Sequence, residues 1–362
     1  MIANNEPALQ RLIDQVLAAR EAVQPLDIRG GGTKDFYGGS RQGEPLDVRP
    51  LAGISSYEPS ELVVTARAGT PLAEIEQALA AQGQCLPFEP PRFGTGGTVG
   101  GMVAAGLSGP ARAAVGCVRD YVLGATLLNG QGQVLTFGGQ VMKNVAGYDV
   151  SRALAGSLGV LGVILEVSLK VLPTAPAQVT LSYQMDQQQA LRWLNGLTRQ
   201  PLPVNASCWH DGLLLLRLSG AKAAVEAACS KLGGDRQDDA TASASWNALR
   251  DQQHRFFVDA RAAGERLWRL SVPAVTPALS LPGETLIEWG GAQRWLRSRA
   301  TAAELRAAAA QAGGHATLFR GAAAGDAVFT PPDATQLRLQ QQLKRAFDPD
   351  GLFNRGRLYP EF

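Results

Sequence analysis

Cysteine is scarce in this chain, which has four cysteines among 362 residues. None belongs to a Cys-x-x-Cys pair, so the sequence does not predict a disulfide framework, a structural zinc site or an iron–sulfur cluster bound by this chain alone. Buried, reduced thiols of a cytosolic protein fit better. Histidine is rarer still, and His210, His254 and His315 lie far apart without metal-ligand spacing. We therefore expect no metal site.

Several other features are missing. No stretch approaches the roughly 18 consecutive apolar residues of a membrane span, and the N-terminal segment MIANNEPALQRLIDQ lacks the apolar core of a signal peptide. The formal net charge is only +2, which argues against a nucleic-acid partner. A Gly-Lys dipeptide and the G-x-G-x-x-G spacing are both absent, which excludes a Walker A loop and disfavours a Rossmann-type dehydrogenase.

Glycine, in contrast, is abundant, with 41 residues grouped in a few clusters. The first cluster is Arg29-Gly30-Gly31-Gly32-Thr33-Lys34, after a predicted strand. Successive N–H groups in such a turn can form an anion-binding nest, because glycine places no Cβ between the backbone and a ligand. The cluster therefore suggests a phosphate or pyrophosphate site, although a flexible surface turn remains an alternative for an isolated triple glycine.

Two further clusters follow. GTGGTVGGMVAAGLSG covers residues 94–109 and allows either a large flat ligand or a second backbone to approach closely. KNVAGYDVSRALAGSLGVLGVI covers residues 143–164 and, taken alone, fits a helix followed by the start of a strand. For the cluster at residues 94–109, tight packing between a helix and a sheet is the structural alternative.

The apolar pattern predicts a helix over residues 7–20, a helix from Pro71 to about Ala81, and a hairpin around Asn129-Gly130. It leaves residues 87–109 as an irregular loop and residues 235–250 as a loop or poor helix. The segment PTAPA at residues 173–177 reads as a boundary. Beyond it, strands and helices alternate in an α+β module, and a helix over 335–347 begins the tail.

In this order and spacing, the glycine clusters resemble the FAD-binding flavoproteins of the vanillyl-alcohol oxidase and para-cresol methylhydroxylase (PCMH) type. LDIRGGGTKDFYG (26–38) resembles the first pyrophosphate loop, and GTGGTVGGMVAAGLSGP (94–110) with VGCVRDYVLGATLL (115–128) resembles the second flavin-contacting region. Residues 143–173 resemble the closing segment, and FDPDGLFNRGRL (347–358) the C-terminal return toward the flavin. Within the family, the chain is most similar to the FAD-binding subunits of bacterial glycolate oxidases (glycolate dehydrogenases).

The resemblance implies an α+β fold in which two α/β subdomains form a PCMH-type FAD-binding domain over residues 1–175. A smaller α+β cap would follow at 176–330, and a C-terminal return at 331–362. It also implies non-covalent FAD, because the first loop carries Thr33-Lys34 rather than a linking His and because Cys117 is better read as a buried thiol. Residues carried over to the cofactor site are Arg29, Gly30, Gly31, Gly32, Thr33, Lys34, Gly96, Gly97, Thr98, Val99, Gly100, Gly101, Leu107, Ser108, Gly109, Gly156, Gly159, Gly162, Ile164 and Asn354.

Catalytic residues are harder to assign. The catalytic flavin subunits of this branch carry Glu where this chain has Leu158, and they carry a metal motif that is missing here. Oxidation of a 2-hydroxy acid needs a carboxylate anchor and a base, for which Arg320 and His315 are candidates. A surface Arg and a structural His are the alternatives, and Lys143 and Tyr148 are further candidates near the flavin loop.

The resemblance implies an FAD-dependent 2-hydroxy-acid dehydrogenase subunit that oxidises glycolate within a complex. The implied partners are a second FAD-binding subunit and an iron–sulfur subunit, with a cytoplasmic location that could extend to the inner membrane through them. An FAD scaffold or electron relay beside a separate catalytic subunit is an alternative. A stand-alone D-lactate-type dehydrogenase and an NADPH-dependent reductase on the same fold are others.

Overall fold

The computed structural model describes residues 6–139 and 149–362. Lys143, Tyr148 and the beginning of the third glycine cluster lie outside these described residues. Within the described part of the chain, no helix has both the length and the apolar character that a bilayer crossing requires.

Two small sheets and one five-stranded sheet build the first module, which comprises the elements up to residue 173. In chain order these elements are α1 (Pro7–Glu21), β1 (Leu26–Arg29), β2 (Glu44–Asp47), β3 (Ile54–Glu58), β4 (Val63–Arg67), α2 (Leu72–Ala80), β5 (Gln84–Cys85), α3 (Val99–Ala105), α4 (Arg112–Val115), α5 (Val118–Tyr121), β6 (Val122–Leu128), β7 (Val134–Gly138), α6 (Val150–Ala153), β8 (Val163–Lys170) and β9 (Leu172–Pro173).

Helix α1 begins with Pro7, where the missing N–H breaks no intrahelical bond. Its Leu9, Leu12 and Val16 recur at helical spacing and are buried against the β1–β2 layer. Strands β1 and β2 are parallel, and Phe353 of the tail forms a parallel bridge with Leu26 on the other side of β1. The C-terminal tail thereby becomes part of the first module.

The five-stranded sheet has the order β3-β4-β8-β6-β7 and is antiparallel throughout its described pairs. Its β6–β7 hairpin turns at Asn129–Gly132, as the Asn-Gly dipeptide predicts. Val167 and Leu169 of the central strand β8 pack on α2 and α3 in the largest core of the module. That packing fixes α3, the helix that carries part of the second glycine cluster.

An eight-stranded antiparallel sheet dominates the second module, called the cap module below. Its strand order is β13-β10-β12-β11-β15-β16-β14-β17. In chain order the elements are β10 (Ala177–Gln184), α7 (Gln187–Leu197), β11 (Val204–His210), β12 (Leu213–Gly220), α8 (Lys222–Leu232), β13 (Asp235–Arg236), α9 (Asp239–Arg250), α10 (Arg255–Ala262), β14 (Leu267–Ser271), β15 (Glu284–Glu288), β16 (Gln293–Arg297), α11 (Ala302–Gln311) and β17 (His315–Arg320). The tail helix α12 (Ala334–Phe347) follows it.

The structure corrects one expected loop and decides between the two alternatives, a loop or a poor helix, for residues 235–250. Residues 239–250 form the regular helix α9, because Asp238 caps its N-terminus and Trp246 and Leu249 provide a buried face that its many Ala and Ser residues conceal. Within the expected loop 87–109, residues 99–105 form α3, which Thr98 caps and Gly106 ends at a φ of 64°. The mixed helix-and-sheet class is confirmed, whereas the domain boundaries stay a prediction.

A shared core joins the two modules. Tyr37, Leu107 and Leu158 of the first module pack with residues of the cap sheet such as Trp295 and Phe319. The face of the cap sheet that carries Trp295 and Phe319 therefore lies directly against the loops of the first module, and any cavity there is lined by both.

Candidate functional site

A deep cleft opens where the loop after β1 meets the start of α3. It is open to solvent at one side. The residues that line it are Asp27, Ile28, Gly30, Gly31, Gly32, Thr33, Lys34, Asp35, Arg41, Val48, Ala68, Thr98, Gly100, Gly101, Ala104, Ala105, Leu158, Gly159, Gly162, Ile164, Asn354 and Arg357.

Two glycine loops form the floor of this cleft, and they touch through their backbones. A Cβ on Gly31 would lie 1.6 Å from the carbonyl oxygen of Gly96, and one on Gly30 would lie 2.5 Å from Thr98 Oγ1. A Cβ on Gly100 would lie 2.6 Å from that of Ala68. No side chain fits at these positions, so the glycines are required by the close approach of the two loops.

The third wall comes from the segment around Leu158 together with the tail. Asn354 donates from Nδ2 to the Leu158 carbonyl oxygen at 2.6 Å and accepts at Oδ1 from the Ile28 N–H at 2.8 Å. A Cβ on Gly159 would lie 2.6 Å from Asn354 Nδ2. Asn354 thus joins three separate segments, and its φ of 45° is one that Asn tolerates better than most residues.

A buried ion pair holds the tail in this place. Lys344 Nζ lies 2.6 Å from Asp348 Oδ2 and also donates to the carbonyl oxygens of Val160, at 2.7 Å, and Phe353, at 3.0 Å. Asp348 in turn accepts from the N–H groups of Leu352 and Phe353. Because both members of the ion pair are also hydrogen-bonded to backbone groups, the pair fixes the position of the tail segment that contains Asn354.

Positive charge faces the cleft. Lys34 donates to Thr33 Oγ1 at 3.4 Å, and no carboxylate of the described residues lies within ion-pair distance of it. Burial lowers the pKa of Lys34 to about 8, against the opposing effect of Asp251. Arg41, in contrast, pairs with the buried Asp27 at 2.8 Å. Lys34 is therefore the cation that a bound anion would stabilise.

The predicted cofactor residues divide between this cleft and its surroundings. Twelve of them line it: Gly30, Gly31, Gly32, Thr33, Lys34, Thr98, Gly100, Gly101, Gly159, Gly162, Ile164 and Asn354. Arg29 turns to Asp27, 2.9 Å away. Gly96, Gly97 and Val99 are not among the lining residues, and Gly156 borders a different surface pocket. Leu107, Ser108 and Gly109 line a separate pocket against the cap module.

Sequence reasoning did not assign ten residues of the lining to the cofactor site, namely Asp27, Ile28, Asp35, Arg41, Val48, Ala68, Ala104, Ala105, Leu158 and Arg357. Arg357 lies in the quoted tail segment, three residues after Asn354, and its guanidinium donates to the carbonyl oxygens of Tyr37 and Gly39 at 2.5 Å each. Its place in that segment is a signal that could have pointed to it. Val48 and Ala68 have no distinctive sequence pattern, since ordinary apolar residues can pack against any neighbour.

The two catalytic candidates lie at opposite ends of β17. Five residues of strand separate His315 from Arg320, which corresponds to roughly 17 Å at about 3.3 Å per residue. The Arg320 guanidinium lies 3.2 Å from the centre of the Phe36 ring and donates to Gln252 Oε1 at 3.0 Å. His315 is exposed on the edge strand. The geometry does not place both side chains on one small substrate.

The other two histidines are brought together, because His210 and His254 have ring centres 5.2 Å apart. His210 Nε2 lies 2.7 Å from Glu284 Oε1, and burial together with His210 lowers the pKa of His254 to about 4. Among the described residues there is no group of three or more His, Cys, Asp or Glu side chains that could hold a metal ion.

Comparisons with known proteins agree with this geometry. Residues 8–138 match the family model of an FAD-binding domain. The chain is 47% identical over 352 residues to the glycolate oxidase subunit GlcE of Escherichia coli (strain K12), covering 97% of both chains. It is 28% identical to the glycolate oxidase subunit GlcD of Bacillus subtilis (strain 168), over 48% of this chain and 40% of that one.

Further matches are less extensive or more distant. A D-lactate dehydrogenase of Anaerostipes hadrus is 32% identical over 42% of this chain and 30% of its own. Among solved structures, alkyldihydroxyacetonephosphate synthase superposes with a TM-score of 0.62 at 15% identity, covering 95% of this chain and 74% of that one. The structural likeness shows the fold, and the FAD-binding domain match together with the full-length relative identifies FAD as the cofactor.

The cleft fits this cofactor on its own geometry. It combines a glycine-built floor, at which backbone N–H groups can approach a ligand, with Lys34, which has no carboxylate within ion-pair distance in the described chain. Thr33 and Lys34 would face the pyrophosphate, while Ala68 and Ile164 supply apolar walls for ring systems.

Proposed function

The chain belongs to the family of the glycolate oxidase subunit GlcE, and from this premise we propose that it is the FAD-binding subunit of a complex that oxidises glycolate to glyoxylate. The observation that carries the proposal is the similarity over 97% of both chains, which includes the cap module as well as the cofactor cleft. Bound FAD supplies a centre that accepts a hydride from the substrate.

The cofactor is held without a covalent link. Among the described residues, the lining of the cleft contains neither His nor Cys, the side chains that link flavins in this kind of protein. Cys117 lies beside Asp120, with its Sγ 3.3 Å from the carboxylate, and is not part of the lining. FAD is instead retained non-covalently by the glycine loops, Lys34 and Asn354.

Electrons leave this chain through partner subunits. Cys85, Cys117, Cys208 and Cys229 are free and lie in different parts of the fold, so they offer no cluster ligands. We assign onward transfer to an iron–sulfur subunit beside a second FAD-binding subunit. The complex is placed in the cytoplasm or on the cytoplasmic face of the inner membrane.

An electron-relay role, with substrate oxidised on the partner flavoprotein, is the second candidate. It is favoured by the wide separation of His315 from Arg320 on β17 and by the apolar Leu158 in the cleft wall. It predicts the same cofactor site but no reaction of this subunit with substrate.

The test is the visible spectrum of the purified chain before and after anaerobic addition of glycolate, with D-lactate as comparator. Bleaching by glycolate supports direct oxidation by this subunit. A flavin spectrum that bleaches only when the partner subunits are present supports the relay. If the chain binds no flavin, alone or with partners, both the direct-oxidation and the relay roles are contradicted. Faster bleaching by D-lactate than by glycolate would change the assigned substrate from glycolate to D-lactate.

A further inference from the structure

A second pocket lies between the first module and the cap module. Leu107, Ser108 and Gly109 line it from the first module, directly after Ala104 and Ala105, which line the flavin cleft. The two cavities are therefore separated by only a few residues of one chain segment.

A buried carboxyl group faces this pocket from the cap sheet. Glu288, at the end of β15, is 4% exposed. Its Oε2 accepts both available hydrogen bonds, from Trp295 Nε1 at 2.6 Å and from Gln293 Nε2 at 3.0 Å. Within the described chain no donor is directed at Oε1, so this oxygen is free to accept a proton or a hydrogen bond.

Gln293 also has a side-chain oxygen that receives no hydrogen bond from the described residues. It is 3% exposed, lines the same pocket, and its Oε1 has no hydrogen-bond partner within the described chain. Buried acceptors without donors are rare and costly in native proteins. Gln293 Oε1 is one such acceptor, and together with Glu288 Oε1, which receives no hydrogen bond from the described chain, it indicates that a donor from outside the protein, such as a hydroxyl group, completes the site.

A cation faces the pocket as well. Arg269 on β14 donates to the Tyr37 hydroxyl at 3.1 Å and lies 5.4 Å from the centre of the Phe319 ring. No carboxylate of the described residues lies within ion-pair distance of it, whereas Arg250 at the same pocket is paired with Asp251 at 2.8 Å. Arg269 is thus available for the carboxylate of a ligand.

We propose that this pocket is the hydroxy-acid site, in which Arg269 binds the substrate carboxylate and Glu288 is the catalytic base that takes the hydroxyl proton. The assignment rests on the proposed function. In the step, the C–H bond of glycolate breaks with its electron pair, which passes to FAD as hydride. The O–H bond breaks with its proton going to the Glu288 carboxylate, and the C=O bond of glyoxylate forms.

The surroundings of Glu288 tune it for this role. Its pKa is raised to about 7, mainly because the carboxyl group is buried; the bonds from Trp295 and Gln293 oppose the rise, and the nearby charge of Glu89 adds a smaller rise. Glu89 is itself paired with Arg217 at 2.7 Å, and Cys208 faces Glu288 across the β11–β15 pair. A base poised near neutral pH is efficient because it is both ionised and a good proton acceptor.

The experiment measures the rate at which glycolate bleaches the FAD-loaded protein, with its partner subunits, as a function of pH. For wild type we expect a rate that rises to a plateau with a midpoint near 7. Glu288→Gln should lower the plateau by roughly 10²–10⁴-fold and remove that midpoint, with little change in glycolate affinity. Arg269→Gln should instead raise the glycolate concentration needed for half-maximal rate.

The matched control is Glu284→Gln, which changes a carboxylate on the same strand that does not line the pocket and should retain the wild-type pH profile. If wild type bleaches and Glu288→Gln keeps its rate and pH profile, the assignment of Glu288 falls while the proposed function stands. If wild type with its partners does not react with glycolate, the proposed function itself is wrong.

A second readout does not depend on turnover. The infrared carbonyl band of a protonated carboxyl group should disappear from wild type as the pH rises through about 7. It should be absent from the difference spectrum of Glu288→Gln. A band that titrates unchanged in this variant would overturn the assignment even if the variant folds poorly or loses flavin.

Discussion

Two cavities of the molecule lie side by side but are built in different ways. The flavin cleft is the one expected to hold FAD, and the interface pocket is the one between the two modules, lined by Glu288, Gln293 and Arg269. The cleft is formed by backbone, because glycines let two loops meet at distances that leave no space for a side chain. The interface pocket is formed by side chains that project from the cap sheet, namely Glu288, Gln293 and Arg269. Backbone therefore shapes the cleft, whereas side chains shape the neighbouring pocket.

This difference has an energetic consequence. A change in the cleft alters how two segments of chain pack, so cofactor binding and folding are lost together. A change in the interface pocket removes a functional group and can leave the fold intact or even more stable, as is common for buried polar groups kept for function. The following predictions test this contrast from the largest expected effect to the smallest.

The largest effect on FAD affinity is expected from Gly31→Ala. The added methyl would lie 1.6 Å from the Gly96 carbonyl oxygen, so the two loops must separate and the floor of the cleft opens. We expect FAD affinity to fall by about 100-fold or more, corresponding to about 3 kcal/mol. The measurement is FAD content after purification together with a fluorescence titration of the apoprotein.

Gly97→Ala in the same region is the control, since its methyl would meet Thr33 Oγ1 at 3.4 Å, an ordinary contact. Gly196→Ala in α7, where the added methyl meets nothing within 4 Å, should raise stability by about 0.5–1 kcal/mol. If Gly31→Ala bound FAD as well as Gly97→Ala did, the cleft would not depend on this close approach.

Lys344→Met removes a buried side chain that does not line the cleft but holds the tail segment next to it. Asp348 would remain buried without its cation, and Val160 and Phe353 would lose a donor. We expect a loss of about 3–5 kcal/mol in the free energy of unfolding, measured with denaturant. Weaker FAD binding should follow, because Asn354 is delivered by the same tail.

The double variant Lys344→Met with Asp348→Asn is the informative control for that experiment. It removes the uncompensated charge and should recover part of the lost stability. A single variant as stable as wild type would show that the buried ion pair does not hold the tail.

How much the sequence predicts follows from the same contrast. Gly30, Gly31 and Gly100 were predictable as site residues because the close approach of the two loops accepts only glycine at these positions. The residue type alone therefore indicates the structural requirement. Asn354 was predictable through its recognisable tail segment, and the family similarity is confirmed. Whether these residues contact the flavin stays a prediction.

The interface pocket was not predicted, because its residues come from α9 and four separate strands of the cap sheet as well as the first module, and their meeting depends on sheet order. The signal available in the sequence was Glu288 itself, a carboxylate in the otherwise apolar segment Leu286–Trp289. Arg320 and His315 were predicted to act together as candidate catalytic residues. Both lie on one strand, and an extended strand holds residues five positions apart far from each other.

The interface pocket should respond to Glu288→Gln by gaining stability at high pH. The unfolded chain loses this proton near the ordinary value of 4.5, and the folded chain near 7. Between these values the folded state binds more protons, so stability falls as pH rises. The variant has no such penalty and should gain about 3 kcal/mol over wild type at about pH 8 compared with about pH 5.

Thermal or denaturant unfolding at both pH values measures this gain, with the exposed Glu58→Gln as the surface control. A pH-independent difference between Glu288→Gln and wild type would contradict a raised pKa. Together with a loss of glycolate oxidation, a gain in stability would mark the carboxylate as a group retained for chemistry rather than for folding.

The smallest effect is expected at Lys34, whose Nζ lies 5.7 Å from the centre of the Phe93 ring in the interface pocket. Its pKa of about 8 in the free protein means that it loses its charge above that pH, while the cofactor pyrophosphate favours the charged form. FAD affinity should therefore be flat below about pH 8 and fall by up to about tenfold per pH unit above it.

Fluorescence titrations of the apoprotein with FAD from about pH 7 to about pH 9 measure this slope. Lys34→Gln should bind FAD more weakly at neutral pH and lose the slope, whereas the exposed Lys222→Gln should retain both. An unchanged slope in Lys34→Gln would show that this cation does not meet the pyrophosphate. The cleft would then bind its anion through backbone N–H groups alone, and the contrast between the two regions would be complete.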